Sequence, residues 1–197
     1  MTDPYEEELF KFFTQPENFD TMLKVAAQAQ GIKLQLVHRF WDLTKEKIAT
    51  KLAEMPQDYQ VAYSGDWNQR YNKLWVYHPE WHRGEPYPIM SVAFENIHVE
   101  SHPYVGVHLH YDNKVFDMDA LKQTIKEYVT LKSYKIDNNR YWSVWRLLNL
   151  NFSQPDSLKR LLPGQVDSTV EETSEEALQL LELVATHVTG WLDQHKK

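Results

Sequence analysis

Residues 88–112, which read PIMSVAFENIHVESHPYVGVHLHYD, contain two runs of alternating apolar side chains on either side of a polar break. The first run extends from Ile89 to Val99, with Met90, Val92 and Phe94 on one face. The second run extends from Tyr104 to Tyr111, with Val105, Val107 and Leu109 on one face. A period of two is typical of β-strands, and Pro103 suits a turn or the first residue of a strand. The stretch therefore predicts an antiparallel β-hairpin.

Further strands are predicted on both sides of this hairpin, at residues 59–63, 73–78 and 140–150. Apolar residues at helical spacing predict helices near residues 3–13, 19–30, 33–54, 118–131 and 154–162. Because consecutive strands are joined by short connections, their pairing should be mainly antiparallel. We predict an α+β fold with N-terminal helices, a mainly antiparallel sheet of four to five strands, and a long C-terminal helix packed on the sheet.

Two local signals set the expected helix boundaries. Gly31 is expected to separate two N-terminal helices, because glycine weakens a helix interior. Residues 173–176, TSEE, have the form of a capping box and predict the start of the last helix. With no clear linker in the sequence, residues 1–197 are expected to form a single domain, in which residues 1–56 are a possible helical subdomain.

Composition limits the classes of function. The 197-residue chain has a net charge of −7 and no cysteine, so it has neither disulfides nor a thiolate metal site. An acidic chain is a poor nucleic-acid binder, because phosphate binding needs clustered lysine and arginine. The sequence contains neither a membrane-spanning apolar run nor a signal peptide. These observations predict a soluble cytoplasmic protein with no membrane association.

The hairpin holds a group of side chains that could bind a metal. His108 and His110 are two residues apart on a predicted strand and so share a face, and Glu95 lies on the other strand. Asp112 begins a D-x-K sequence that ends at Lys114, and the order of elements is that of a PD-(D/E)xK nuclease core. Two alternatives stay open, namely a divalent metal held by Glu95, His108 and His110, and a histidine-rich surface that binds none.

Aromatic residues make up 13% of the chain and include seven tryptophans. Most are expected in the core, but tryptophan and tyrosine are also favoured at interfaces. The segments around 67–81 and 79–88 are the predicted contact surface. Its candidate binding residues are Trp67, Trp75, Trp81, His82 and Arg83.

Loose motifs in residues 73–195 resemble a known domain. These are YVGV at 104–107, YWSVWR at 141–146 and two glutamates at 175–176 before the last helix. Their order is similar to that in the non-catalytic C-terminal domain of some bacterial PD-(D/E)xK family proteins. The resemblance implies an accessory, partner-binding or sensing role, with no catalytic residue to carry over.

The sequence contains no Walker loop, Rossmann fingerprint or nucleophile elbow. We therefore expect a bacterial or phage binding protein that acts without catalysis or cofactor, through a protein partner or self-association. The alternative is a metal-dependent hydrolase, possibly a nuclease, centred on Glu95, His108, His110 and Asp112. A third possibility is a homo-oligomer assembled through the wide apolar stripe of the C-terminal helix.

Overall fold

A computed structural model describes residues 4–65, 67, 72–82, 87–111, 117–129, 134–136 and 140–195. The helices are α1 (Pro4–Phe13), α2 (Pro16–Leu52), α3 (Met118–Val129), α4 (Pro155–Lys159) and α5 (Val166–Gln194). The strands are β1 (Gln60–Tyr63), β2 (Leu74–Tyr77), β3 (Met90–Glu95), β4 (Tyr104–Leu109), β5 (Lys135–Ile136) and β6 (Trp142–Leu147). A 3₁₀ turn at Pro79–His82 follows β2.

The strands form one sheet in the order β1-β2-β3-β4-β6-β5, with every pair antiparallel. The predicted hairpin is confirmed as β3 and β4 at the centre of this sheet. The α+β prediction is also confirmed, but the described sheet has six strands rather than four to five. The sequence missed β5, because its two exposed residues are too few to show alternation.

The helices α2, α3 and α5 cover one face of the sheet. Their apolar side chains share a core with alternate residues of the strands, such as Val92, Phe94, Val107 and Val144. Each of these four strand side chains is 0% exposed. Asp117 caps α3, because its side-chain oxygen accepts hydrogen bonds from the backbone N–H groups of residues 119 and 120.

The predicted break at Gly31 is wrong, because α2 runs through it without interruption. Glycine costs a helix only about 0.5–1 kcal/mol, which the rest of a 37-residue helix can absorb. The two halves of α2 differ in their surroundings. Side chains from Val37 to Leu52 pack in the sheet's core, whereas no described side chain in residues 5–36 is buried. We call residues 4–36 the arm.

The start of α5 also differs from the prediction. The helix begins at Val166, so the sequence TSEE at 173–176 lies inside it and caps nothing. Its Thr173 and Ser174 are buried instead against the rest of the domain. The apolar stripe that suggested self-association through this helix is covered by the chain itself. Its members Leu178, Leu181, Ala185, Val188 and Leu192 are all buried.

Close approach of β4 and β6 depends on Gly106. A Cβ at this position would lie 2.2 Å from the carbonyl oxygen of Val144 and 2.8 Å from the Cβ of Trp145. The register between these strands shifts next to it, at Val107 and His108, so that His108 pairs with Trp142. Such a β-bulge adds a residue to one strand and changes the faces on which the following side chains lie.

Among the described residues, no helix is both long enough and apolar enough to span a bilayer.

Gly106→Ala is expected to destabilise the fold strongly, because the methyl group would overlap backbone atoms of β6. Overpacking usually costs about 1–3 kcal/mol, and a clash with backbone belongs at the upper end of that range. Urea unfolding monitored by circular dichroism measures the change. The matched control is Gly31→Ala in α2, where an added Cβ meets no atom within 4 Å and helix propensity should rise. Equal stability of the two variants would contradict the role given to Gly106.

Candidate functional site

The second face of the sheet carries large aromatic side chains. Trp75, Ala93 and Trp142 form its buried centre, and Ala62, Tyr77, Tyr104 and Trp145 pack around them. Among the described residues, no helix contributes to this cluster. We call this surface, defined by Trp75, Tyr77, Tyr104, Trp142 and Trp145, the aromatic face.

The bulge in β6 places two tryptophans on this face. Residues three apart on a regular strand point to opposite faces, yet Trp142 and Trp145 both contact the ring of Tyr104, with centroids 5.0 and 5.3 Å away. The extra residue is Ser143, which is buried and donates a hydrogen bond to the carbonyl of Lys122 in α3. A strict period of two places Trp142 and Trp145 on opposite faces, so the sequence alone does not predict their shared face.

A buried glutamate holds these rings in place. Glu95 is 7% exposed, and its Oε2 accepts hydrogen bonds from the Tyr104 hydroxyl and, at 3.1 Å, from the Trp142 indole N–H. Its Oε1 lies 3.7 Å from the Lys73 Nζ. A buried carboxylate is tolerated only when it is paired and hydrogen-bonded, and Glu95 meets both conditions.

His108 lies further along the same face, directly opposite Ser91 in the β3–β4 register. Its ring contacts Trp142 edge-on at 5.1 Å and stacks on Tyr141 at 6.3 Å. Burial, then the charges of Lys73 and His110, lower the pKa of His108 from 6.5 to about 3. The imidazole is therefore neutral near pH 7. The hydroxyl of Ser91 beside it is buried without a hydrogen-bond partner.

The accessible part of the site surrounds this buried layer. Tyr87 is 45% exposed, contacts Trp75 and His110, and bounds one edge. Tyr141 and Leu147, at the two ends of β6, are also more than two-fifths exposed. Trp145 is half-buried, and the ammonium of Lys135 lies 5.1 Å from the centre of its ring. A ligand would meet these side chains first.

The structure separates the predicted binding residues. Trp75 lies in the aromatic face, and His82 contacts Tyr77 at its edge. Trp67 is on the helical side instead, stacked on His38 at 4.3 Å. Trp81 is 1% exposed in the main core, and Arg83 lies outside the described residues.

The sheet also determines how far apart the predicted metal ligands lie. Glu95 and His108 share a face as predicted, but the register sets them four residues apart along the strands, or about 13 Å. His110 follows the end of β4 beside Tyr87. The described part of the chain contains no group of three histidine, aspartate or glutamate side chains suited to hold a metal. Asp112 and Lys114 lie outside it, so the metal site and the hydrolase stay predictions.

A groove of about 620 Å³ lies away from this face, between the end of α2 and β1. It is lined mainly by apolar and amide side chains, and Asp58 is its one ionisable group besides Tyr59.

No family model, curated protein or solved structure matches this chain. The resemblance of residues 73–195 to the non-catalytic PD-(D/E)xK-associated domain therefore stays a prediction.

Glu95→Gln should destabilise the protein by about 2 kcal/mol, because hydrogen bonds to a buried charged group contribute about 1.5–3 kcal/mol. The measurement is the free energy of unfolding in urea. Glu171→Gln is the control, since Glu171 also contacts two lysines, Lys47 and Lys51, both at 2.5 Å, but at the surface. There the loss should stay below about 1 kcal/mol. A loss at Glu95 no larger than at Glu171 would refute the anchoring role.

Acid should destabilise the protein partly through His108. The unfolded state binds a proton near pH 6.5, whereas the folded state binds it only near pH 3, so the stability linked to neutral His108 is present above pH 6.5 and falls as the pH drops toward 3. The expected slope between these limits is about 1.4 kcal/mol per pH unit.

Comparing unfolding free energies of wild type and His108→Gln from pH 7.5 to 4.5 isolates this contribution. The wild type should lose stability faster than the variant over that range. The same substitution at exposed His98 controls for the loss of one histidine. Parallel curves for wild type and His108→Gln would show that His108 is accessible to protons in the folded state.

Proposed function

We propose that this chain is a non-catalytic binding protein that contacts a protein partner through its aromatic face. The observation that carries the proposal is that a whole sheet face, rich in tryptophan and tyrosine, is left without a helix over it among the described residues. An antiparallel sheet with one solvated face usually presents polar side chains there. An aromatic face is instead typical of a contact surface.

The ordering of its side chains supports this proposal. Tyr104 and Trp142 are already held by Glu95 before any partner arrives. Immobilising one flexible side chain during binding costs about 0.5–1.5 kcal/mol. Because Tyr104 and Trp142 are already immobilised in the folded chain, binding does not incur this cost for them. Tyr87, Tyr141 and Trp145 then offer ring surface with few rotatable bonds.

The charge of the face favours a neutral protein surface as the ligand. Lys73 is balanced by Glu95, and His108 is neutral near pH 7 because of its lowered pKa. Lys135 adds one cation at the edge. Binding of a nucleic-acid backbone depends on several lysines and arginines neutralising phosphates, and the chain as a whole carries −7.

The contact surface proposed from the sequence changes accordingly. Trp75 and His82 stay within it or at its edge, whereas Trp81 is enclosed in the core and its substitution would test folding rather than binding. The informative positions are exposed ones that the sequence did not single out, namely Tyr87 and Trp145.

The double variant Tyr87→Ala/Trp145→Ala should lose partner binding by tenfold or more, since interface hot spots typically contribute over about 1–2 kcal/mol each. The partner is first captured from the native host with immobilised wild type and identified by mass spectrometry. Its affinity is then measured with purified components by calorimetry.

Leu162→Ala is the matched control, because Leu162 is a 40% exposed apolar residue outside the aromatic face. It should bind like wild type, and circular dichroism should show all three proteins folded. If the double variant bound the partner as tightly as wild type and Leu162→Ala do, the aromatic face would be ruled out as the contact surface.

A further inference from the structure

The arm exposes an unusual amount of apolar surface. Nine of the fourteen large apolar side chains that are exposed in the described structure lie within residues 5–34, at exposures of 37–68%. They are Tyr5, Leu9, Phe10, Phe12, Phe19, Leu23, Val25, Ile32 and Leu34. The arm joins the body near Gln30, whose side chain donates a hydrogen bond to Glu100 in the β3–β4 connection. The segment before Gln30 therefore projects away from the sheet.

One stripe on the arm has heptad spacing, and its last member, Leu36, also packs against the chain's own core. Met22, Val25, Ala29, Ile32 and Leu36 follow each other at intervals of three, four, three and four residues. This is the a/d pattern of helices that pack side by side in a coiled coil. The side of the helix opposite this stripe carries Asp20, Ala27 and Leu34.

We propose that the arm binds the arm of a second copy of this chain, in an antiparallel pair centred on Ala29. The stripe is nearly symmetric about that residue. Met22 precedes Ala29 by seven positions and Leu36 follows it by seven. Val25 precedes Ala29 by four positions and Ile32 follows it by three. A twofold rotation places Met22 against Leu36 of the second copy, and the small Ala29 allows close approach at the axis.

The length of the arm matches what a helical pair needs. The 21 residues of α2 within the arm span roughly 31 Å, enough for three heptads.

Charge favours the antiparallel arrangement over a parallel one. Acidic side chains lie toward the N-terminal end of the arm: Glu6, Glu7, Glu8, Glu17 and Asp20. Lys33 and Arg39 are near its other end. Antiparallel pairing brings the acidic end of one copy to the basic end of the other, whereas parallel pairing would bring the acidic ends together.

Sedimentation velocity over a range of concentrations tests this proposal on the full chain. Wild type should reach twice the 23.4 kDa of one chain. The variant Val25→Glu/Ile32→Glu should stay monomeric, because both side chains, 60% and 57% exposed, would place carboxylates in the interface.

The control is Ala27→Glu/Leu34→Glu. It adds the same charge to the same helix at the same seven-residue spacing, but on the side opposite the stripe. This control should remain a dimer, with a helical spectrum like that of the first variant. Monomeric wild type, or a dimer that survives Val25→Glu/Ile32→Glu, overturns the proposal.

Cysteine cross-linking tests the orientation, since the natural chain has no cysteine. Ala29→Cys should form a disulfide-linked dimer under mild oxidation, because the two copies of residue 29 meet at the axis. Met22→Cys should not, since its two copies would be about 21 Å apart. Cross-linking of Met22→Cys would overturn the antiparallel pairing.

This inference stands apart from the proposed function. The arm and the aromatic face share no residue. A dimer that binds no partner would contradict only the proposed function, and a monomer that binds one would contradict only the proposed dimer.

Discussion

The close contact between β4 and β6 at Gly106 is the constraint on which the functional surface depends. Without a side chain at Gly106, the backbone of β6 can approach and bulge at Ser143. The bulge places Trp142 and Trp145 around Tyr104 on one face, while Val144 stays in the core on the other. Glu95 can then accept hydrogen bonds from Tyr104 and Trp142. These bonds offset the cost of burying its charge and fix the orientation of the two rings.

The sequence predicted the parts of the fold that depend on periodicity. Alternation found β3 and β4, and the helical stripe found α5, because a continuous buried face repeats over many residues. Prediction from the sequence was wrong where a single residue or a short motif decides a helix boundary or the face of a strand. Gly31 does not break α2, the capping sequence at 173–176 lies inside α5, and the bulge at Ser143 reverses the faces of β6. Tertiary packing overrides each of these local signals.

The candidate site was predictable only in part for the same reason. Glu95 and His108 were singled out as possible metal ligands, and the strands do place them on one face. Their partners come from β6 and from the residues just before β2 and β6, which are distant in sequence: Lys73 and Trp142 for Glu95, and Tyr141 for His108. Spacing within a hairpin cannot reveal such cross-strand neighbours. The structure therefore adds an aromatic surface organised by Glu95, while the metal site of Glu95, His108 and His110 stays a prediction.

The aromatic face and the arm differ in how their order is maintained. The rings of the face are fixed by hydrogen bonds and by the sheet beneath them, so this surface keeps its shape when it is unbound. The arm has no buried side chain among residues 5–36, yet α2 stays helical from Pro16 through Gly31 into the core. Isolated helices are marginal in water, and most helix stability in proteins comes from packing of an apolar side. In the dimer that we propose, the arm gains that packing from a second arm, so the contact that joins the two copies also stabilises the arm itself.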